Sequence, residues 1–154
     1  LAASRAFRDA ILALARDFPF ARALINSGRL SVPTGHAGSV LDMPDTDQDW
    51  RRGPAPGHAM VDAPVGGDGD GWLVDRVGPD FTLLGFADRG FAFERLPPGV
   101  KGLCISGDGL ARQRYDAQPG TSYLIRPDRY VAARWRQYDP AVVGAAVRRA
   151  TGNG

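Results

Sequence analysis

Cysteine is almost missing from this chain: Cys104 stands alone. A single thiol excludes an internal disulfide, a CxxC redox pair and any cysteine-based zinc cluster. Lysine is as scarce, with Lys101 the sole example, and the other basic residues are arginines that alternate with acids. A nucleic-acid face needs basic residues massed together or interleaved with stacking aromatics, so nucleic acid is not an expected partner. His36 and His58 are the only histidines. Both fall in a proline- and glycine-rich stretch with no third nitrogen or sulfur ligand nearby, which argues against a metal site. No apolar run approaches the ~20 residues that span a bilayer. The N-terminus lacks the charged, apolar, then small pattern of a signal peptide. The expectation is a cytoplasmic protein without a membrane partner. Leu1 in place of Met suggests that the sequence begins inside a longer reading frame.

The chain has 154 residues, of which 44% are hydrophobic and 23% charged. Those values suit one soluble domain with an appended arm. Net charge is only +2. The 20 glycines and 12 prolines concentrate between Gly28 and Gly71, which marks that region as extended or loop-rich.

Periodicity divides the rest. From Ser4 to Phe18 the residues Phe7, Ile11, Leu14 and Phe18 recur at helical spacing, with Arg5, Arg8, Asp9 and Arg16 off that stripe. Ser4 is the expected N-cap. Pro19 interrupts, and a second helical turn is expected from Phe20 to Asn26, stopped by Gly28. Such a stripe has to pack on something, either the following domain or an upstream one. No period persists from Arg29 to Pro64. Val40, Leu41, Met43 and Trp50 read as apolar anchors of an arm lying across a neighbouring surface. The segment Gly66–Gly71 reads as a loop tip, and Trp72–Val77 as a short strand or a helical turn. Phe81–Ala87 and Val100–Ser106 read as strands buried on both faces. Ser122–Arg126 and Tyr130–Trp135 flank a Pro127-Asp128 turn. Pro140–Ala150 reads as a terminal helix with Val142, Val143, Ala146 and Val147 on its apolar face and Arg148 and Arg149 favouring its dipole. Buried strands, then an antiparallel hairpin and a helix, predict an α/β fold: a mixed sheet with flanking helices, ending as thioredoxin-like domains end. A helical N-terminal segment and an extended arm precede it. The expected divisions are 1–28, 29–59 and 60–154.

Candidate chemistry is sparse. Thiol exchange needs a thiolate at a helix N-terminus, yet the segment after Phe81–Ala87 reads Asp88-Arg-Gly-Phe91. Cys104 sits within an apolar strand, where a small buried hydrophobe is its expected role. Asp45, Asp47 and Asp49 open like a calcium loop. Trp50 then stands where that loop needs glycine and Pro56 where it needs glutamate, so a solvated acidic loop paired with Arg51 and Arg52 is expected. Gly66–Gly71 lacks the GxGxxG register. Arg126, Asp128, Arg134 and Arg136 could form a polar cluster along the hairpin, read as cross-strand charge pairs. No catalytic, cofactor-binding or metal-ligating residue is expected in the chain.

Several short motifs occur in a set order: Ser27–Ser31, Pro56-Gly57, Asp62–Val65, Phe81–Leu84, Leu124–Asp128 and Val131–Trp135. In that order and spacing the chain resembles the C-terminal domain of FAD-dependent aromatic-ring hydroxylases, the phenol hydroxylase and hydroxyphenylpropionate hydroxylase group. The resemblance implies a thioredoxin-like domain without catalytic residues, following an upstream FAD- and substrate-binding part of the same chain. It implies FAD and NAD(P)H for that parent monooxygenase, with no cofactor in this portion. Residues Ser4–Leu30 then look like the helical end of the catalytic part. The module would contribute stability, subunit contacts (a homodimer included) or cover near the active site. One departure is local: Arg129 stands where the family has glycine after Pro-Asp, so a non-glycine residue is expected at positive φ. The alternative is a stand-alone thioredoxin-like module that binds a protein or small ligand without redox activity.

Overall fold

Residues Ala2–Asp17 form helix α1 in the computed structural model, which describes residues 2–21, 33–65, 71–107 and 109–153. The helix starts ahead of Ser4, which therefore lies inside it and not at its cap. It ends at Asp17 because the residue before a proline is pushed out of helical φ/ψ, and Phe18 precedes Pro19. Phe7, Leu14 and Phe18 of the stripe are exposed. Helical backbone resumes at 19–21. The remainder of the Phe20–Asn26 turn and the Ser27–Ser31 motif lie outside the described residues.

The chain divides into two compact units, Leu1–Pro33 and Thr34–Gly154. The second holds a four-stranded sheet in the order β2-β1-β3-β4. Its strands are β1 (Phe81–Ala87), β2 (Val100–Ser106), β3 (Ser122–Ile125) and β4 (Val131–Trp135). β1 and β2 run parallel, while β3 is antiparallel to both β1 and β4. Three helices follow the strands or precede them: α2 (Leu73–Arg76), α3 (Leu110–Arg114) and α4 (Pro140–Ala150). This mixed sheet with flanking helices is an α/β fold consistent with a thioredoxin-like arrangement.

Both sheet faces are covered. On one, Leu84, Phe86, Tyr123 and Ile125 pack with Leu73 and Val77 at α2 and with Ala111 and Tyr115 at α3. The two tyrosines stay buried because each hydroxyl finds a carbonyl: Tyr115 donates to Val61 at 2.7 Å and Tyr123 to Tyr115 at 2.6 Å. On the other face, Leu83, Leu124 and Ala133 meet Val143 and Ala146 of α4. Asp139 caps that helix by accepting from the Ala141 N–H at 2.8 Å, and Pro140 occupies its first position.

β1 is buried along its middle as expected. β2 is not: it is the edge strand, and Lys101, Gly102 and Ser106 are exposed. An apolar run of this length cannot distinguish a central strand from an edge strand, and Lys101 and Gly102 were the signals for the latter. The hairpin turn closes through an Arg129 N–H to Arg126 carbonyl bond of 2.9 Å, with the Asp128 carboxylate accepting from the Tyr130 N–H. Arg129 adopts φ 66°, the left-handed conformation expected of it. The register slips between Leu124 and Ile125, where Ala132 is the extra residue of a bulge in β4.

Residues 34–59 contain turns but no helix or strand, and they run along the outer edge of β4. The Met43 N–H donates to Ala132, Gly57 to Val131 and, in return, Val131 to His58, at 2.8–2.9 Å. The edge of β4 is thereby paired. Met43 and Trp50 pack against the core, but Val40 is 78% exposed and anchors nothing in this unit.

Candidate functional site

Two polar assemblies stand out, and the first joins residues that the sequence kept apart. β4 places Arg134 on the same sheet face as Tyr123, its cross-strand partner. Arg134 is only 7% exposed. Its Nε and Nη2 donate to the two oxygens of Asp45 at 2.9 and 2.6 Å, a fork-to-fork pair. Its Nη1 faces the carbonyls of Arg52, Gly53 and Pro54 at 3.2–3.4 Å. Arg136, just past the strand, repeats the pattern: Nε donates to Asp49 at 2.9 Å and Nη2 to Asp116 at 2.8 Å. Its backbone N–H donates to Asp47 at 2.9 Å. The Trp50 ring lies between the two guanidinium groups, 4.3 Å from that of Arg134 and 3.7 Å from that of Arg136.

The acidic loop Asp45–Asp49 is thus the counterpart of β4. Its partners are Arg134 and Arg136 and not Arg51 and Arg52, whose backbone N–H groups serve Asp116 instead. Sequence neighbours point away from each other along an extended loop, whereas the alternation of β4 places its arginines in line. Likewise, of the expected hairpin cluster only Arg126 and Asp128 pair with each other, at 2.6 Å. Among the described residues no group of histidine, cysteine, aspartate or glutamate is arranged to hold a metal ion.

Burial sets the electrostatics. Desolvation works against the charge of Arg134, yet the bonds from Asp45 outweigh it and raise its pKa above the ordinary arginine value. Burial pushes Asp116 up, but Arg136 and the two backbone N–H groups pull it below the usual carboxylate range. Desolvation pushes the Tyr123 hydroxyl up to about 12. Every one of these groups is held in its ordinary charge state near neutrality. The assembly fastens the acidic loop and Asp116 to Arg134 and Arg136.

The second assembly is a cavity of about 500 Å³ beside β2. Val65, Leu103, Ile105 and Ala111 supply apolar wall, and Arg76, Arg112 and Asp88 supply charge. Asp88 follows β1 directly and accepts from both Nη atoms of Arg112 at 2.9 Å. Cys104 borders the cavity, half-buried, with Sγ 3.4 Å from Ser106 Oγ. Its expected burial is therefore only partial, because its strand is at the edge. The arginines that face the cavity come from other elements and carry no sequence signature.

No protein-family model matches the chain, and no curated protein matches it. Solved structures do share its fold. The substrate-free form of the rebeccamycin biosynthetic enzyme RebC is 20% identical over 92% of this chain and 26% of its own, with a TM-score of 0.62. The flavin-dependent monooxygenase PieE, solved with FAD and substrate, is 15% identical over 93% of this chain and 32% of its own, with a TM-score of 0.60. Aklavinone-11 hydroxylase, solved with FAD and aklavinone, is 21% identical over 73% of this chain and 25% of its own, with a TM-score of 0.56. The chain spans between a quarter and a third of the length of these three proteins.

Proposed function

We propose that this chain is the C-terminal, non-catalytic portion of a larger FAD-dependent monooxygenase that hydroxylates phenolic or related aromatic substrates with NAD(P)H and O2. The observation that carries the reading is the likeness over 92–93% of the chain to RebC and the flavin-dependent monooxygenase PieE. The ordered motif set in the sequence supports it independently. In such an enzyme FAD supplies the redox chemistry, and protein supplies orientation and exclusion of water.

The described residues offer no cradle of the doubly-wound dinucleotide-binding kind. A dinucleotide site needs a parallel βαβ unit whose glycine-rich turn opens a long helix. Here Gly107–Gly109 links β2 to α3, which has five residues, and the next strand, β3, is antiparallel to its neighbours. The reading therefore assigns the flavin to the remainder of the protein and gives this portion a supporting role, in stability or in subunit contacts. The paired Arg134–Asp45 and Arg136–Asp49 fastening suits such a role.

The test is a deletion. In the protein purified from its own gene, removing residues 60–154 should lower thermal stability or change the oligomeric state. A truncated enzyme with full activity, unchanged melting temperature and unchanged mass in solution contradicts the proposal. A second reading, a stand-alone binding module, draws support from the open edge of β2. A colourless native protein of about 16.5 kDa would select it over the flavoenzyme.

A further inference from the structure

The two edges of the sheet are treated differently. That of β4 is paired by residues 43–60, whereas β2 pairs with β1 and with nothing else among the described residues. Which groups of β2 are left over follows from the parallel ladder, in which alternate residues direct both N–H and C=O to the same side. The Gly107 N–H donates to the Ala87 carbonyl at 3.2 Å, which sets the phase. Lys101, Leu103 and Ile105 then address β1, and Gly102, Cys104 and Ser106 direct their backbone groups outward. Among the described residues, Lys101 is the one protection this edge carries. The strand has no proline and no bulge, and its one charge, Lys101, is tied to Asp80 at 2.6 Å.

The cavity described above lies along the same edge, bordered by Leu103, Cys104, Ile105 and Ser106. Leu103 and Ile105 share a face with Leu84 and Phe86 by register. Alternate side chains of a strand added to β2 would point to that face. There they would meet apolar wall from Val65 and Ala111 and the guanidinium groups of Arg76 and Arg112. Arg112 is engaged by Asp88. Arg76 is exposed and has no ion pair among the described residues, and its Nη2 stands 3.3 Å from where a Cβ on Gly71 would lie. Cationic charge therefore exceeds anionic charge on the described wall of the cavity.

We propose that the outer edge of β2 and this cavity form a docking site for an extended peptide segment bearing an acidic side chain. Backbone pairing to Gly102, Cys104 and Ser106 supplies register-independent affinity. The cavity selects one side chain with an apolar stem and a carboxylate that reaches Arg76. The inference rests on the sheet edge and its wall and not on the flavoenzyme reading.

The experiment uses the 154-residue chain and a library of acetylated, amidated heptapeptides randomised over Val, Thr, Ile, Glu, Gln and Lys. Retained peptides should be enriched in Glu at one position. Titrating the best of them into isotope-labelled protein should shift the amide signals of Gly102, Cys104 and Ser106 and slow their hydrogen exchange. N-methylation of the peptide backbone at alternate residues should abolish binding. Arg76→Gln, at an exposed position, should keep the spectrum of the folded protein. It should weaken the Glu peptide about tenfold and its Gln counterpart less than about twofold, the difference a charge-assisted bond makes. The proposal is overturned by no enrichment, by enrichment of Lys, by shifts confined to other elements, or by equal loss of both peptides in Arg76→Gln. It is also overturned if those three amides become protected on concentrating the protein alone, which would make the occupant a second copy.

Discussion

The ring of Phe91 lies against Gly85, so close that a Cβ on that glycine would stand 2.5 Å from the ring's Cγ and Cδ1. Phe93 covers Gly102 on the neighbouring strand in the same way, at 2.6 Å, and the two rings meet at a 38° tilt with centroids 4.8 Å apart. The crossover from β1 to β2 has no helix, and these aromatics do the covering that a helix would do. Each bare glycine is the socket for one ring.

Gly85→Ala should therefore destabilise the protein by roughly 1–3 kcal/mol, the usual cost of overpacking a filled site. Phe91→Ala should cost a similar or larger amount by opening a void. The double variant is the informative one. Because the added methyl occupies space that the ring has vacated, its loss should be smaller than the sum of the two single losses. Urea unfolding of all four proteins measures this, and strict additivity would show that ring and glycine are not coupled.

Arg134→Ala should cost about 2–4 kcal/mol. Breaking a buried pair normally costs more than breaking a surface one, and Asp45 is 29% exposed, which moderates the loss. Arg134→Lys should recover less than half of that amount. An ammonium cannot bind both carboxylate oxygens side by side, nor can it lie flat on Trp50. The loss should be accompanied by a red shift of tryptophan emission as Trp50 becomes wet. An unchanged spectrum would mean that residues 42–57 stay fastened without the arginine.

How much of this was legible in the sequence depended on the range of the interaction. The Pro127-Asp128 turn, the positive φ of Arg129 and the helix from Pro140 are decided by neighbouring residues, and all were readable. The pairing of Asp45 with Arg134 was not, since 89 residues separate them and nothing local marks either as the other's partner. The edge position of β2 was misread for a related reason. Leu103, Cys104 and Ile105 give the same apolar run in a central strand as in one whose outer side is open. The cavity was invisible because Arg76 and Arg112 reach it from different helices.

Arg129→Gly should raise stability by about 1 kcal/mol. A left-handed residue other than glycine carries a steric cost of about 1–2 kcal/mol, part of which returns as the greater entropy of an unfolded glycine. Arg129→Val should lower stability, since a branched Cβ suits that conformation least. Thermal melts at one pH are sufficient, and a destabilised Arg129→Gly protein would show that the side chain has a role the turn geometry does not reveal.

Asp42 and Asp116 should bend the pH profile of stability in opposite directions. The carboxylate of Asp42 is 4% exposed and neither oxygen has a hydrogen bond among the described residues. Arg126 is its nearest cation, 3.7 Å away. Burial raises its pKa above 3.8, an effect that Arg126 and His36 offset only in part. The folded protein therefore holds the Asp42 proton more tightly than the unfolded chain does. That contribution is fully present below about pH 3.8 and is lost as pH rises through the folded value. Asp116 has a lowered pKa, so its contribution is present above about 3.8 and is lost as pH falls through a folded value below that. Asp42→Asn should accordingly stabilise the protein at pH 7 and lose that advantage on acidification to pH 3. Asp116→Asn should destabilise it at pH 7 and converge on the parent in acid. Denaturant titrations at pH 3, 5 and 7 separate the two, and an Asp42→Asn protein less stable than the parent at pH 7 would show that Arg126 repays the burial of the charge in full.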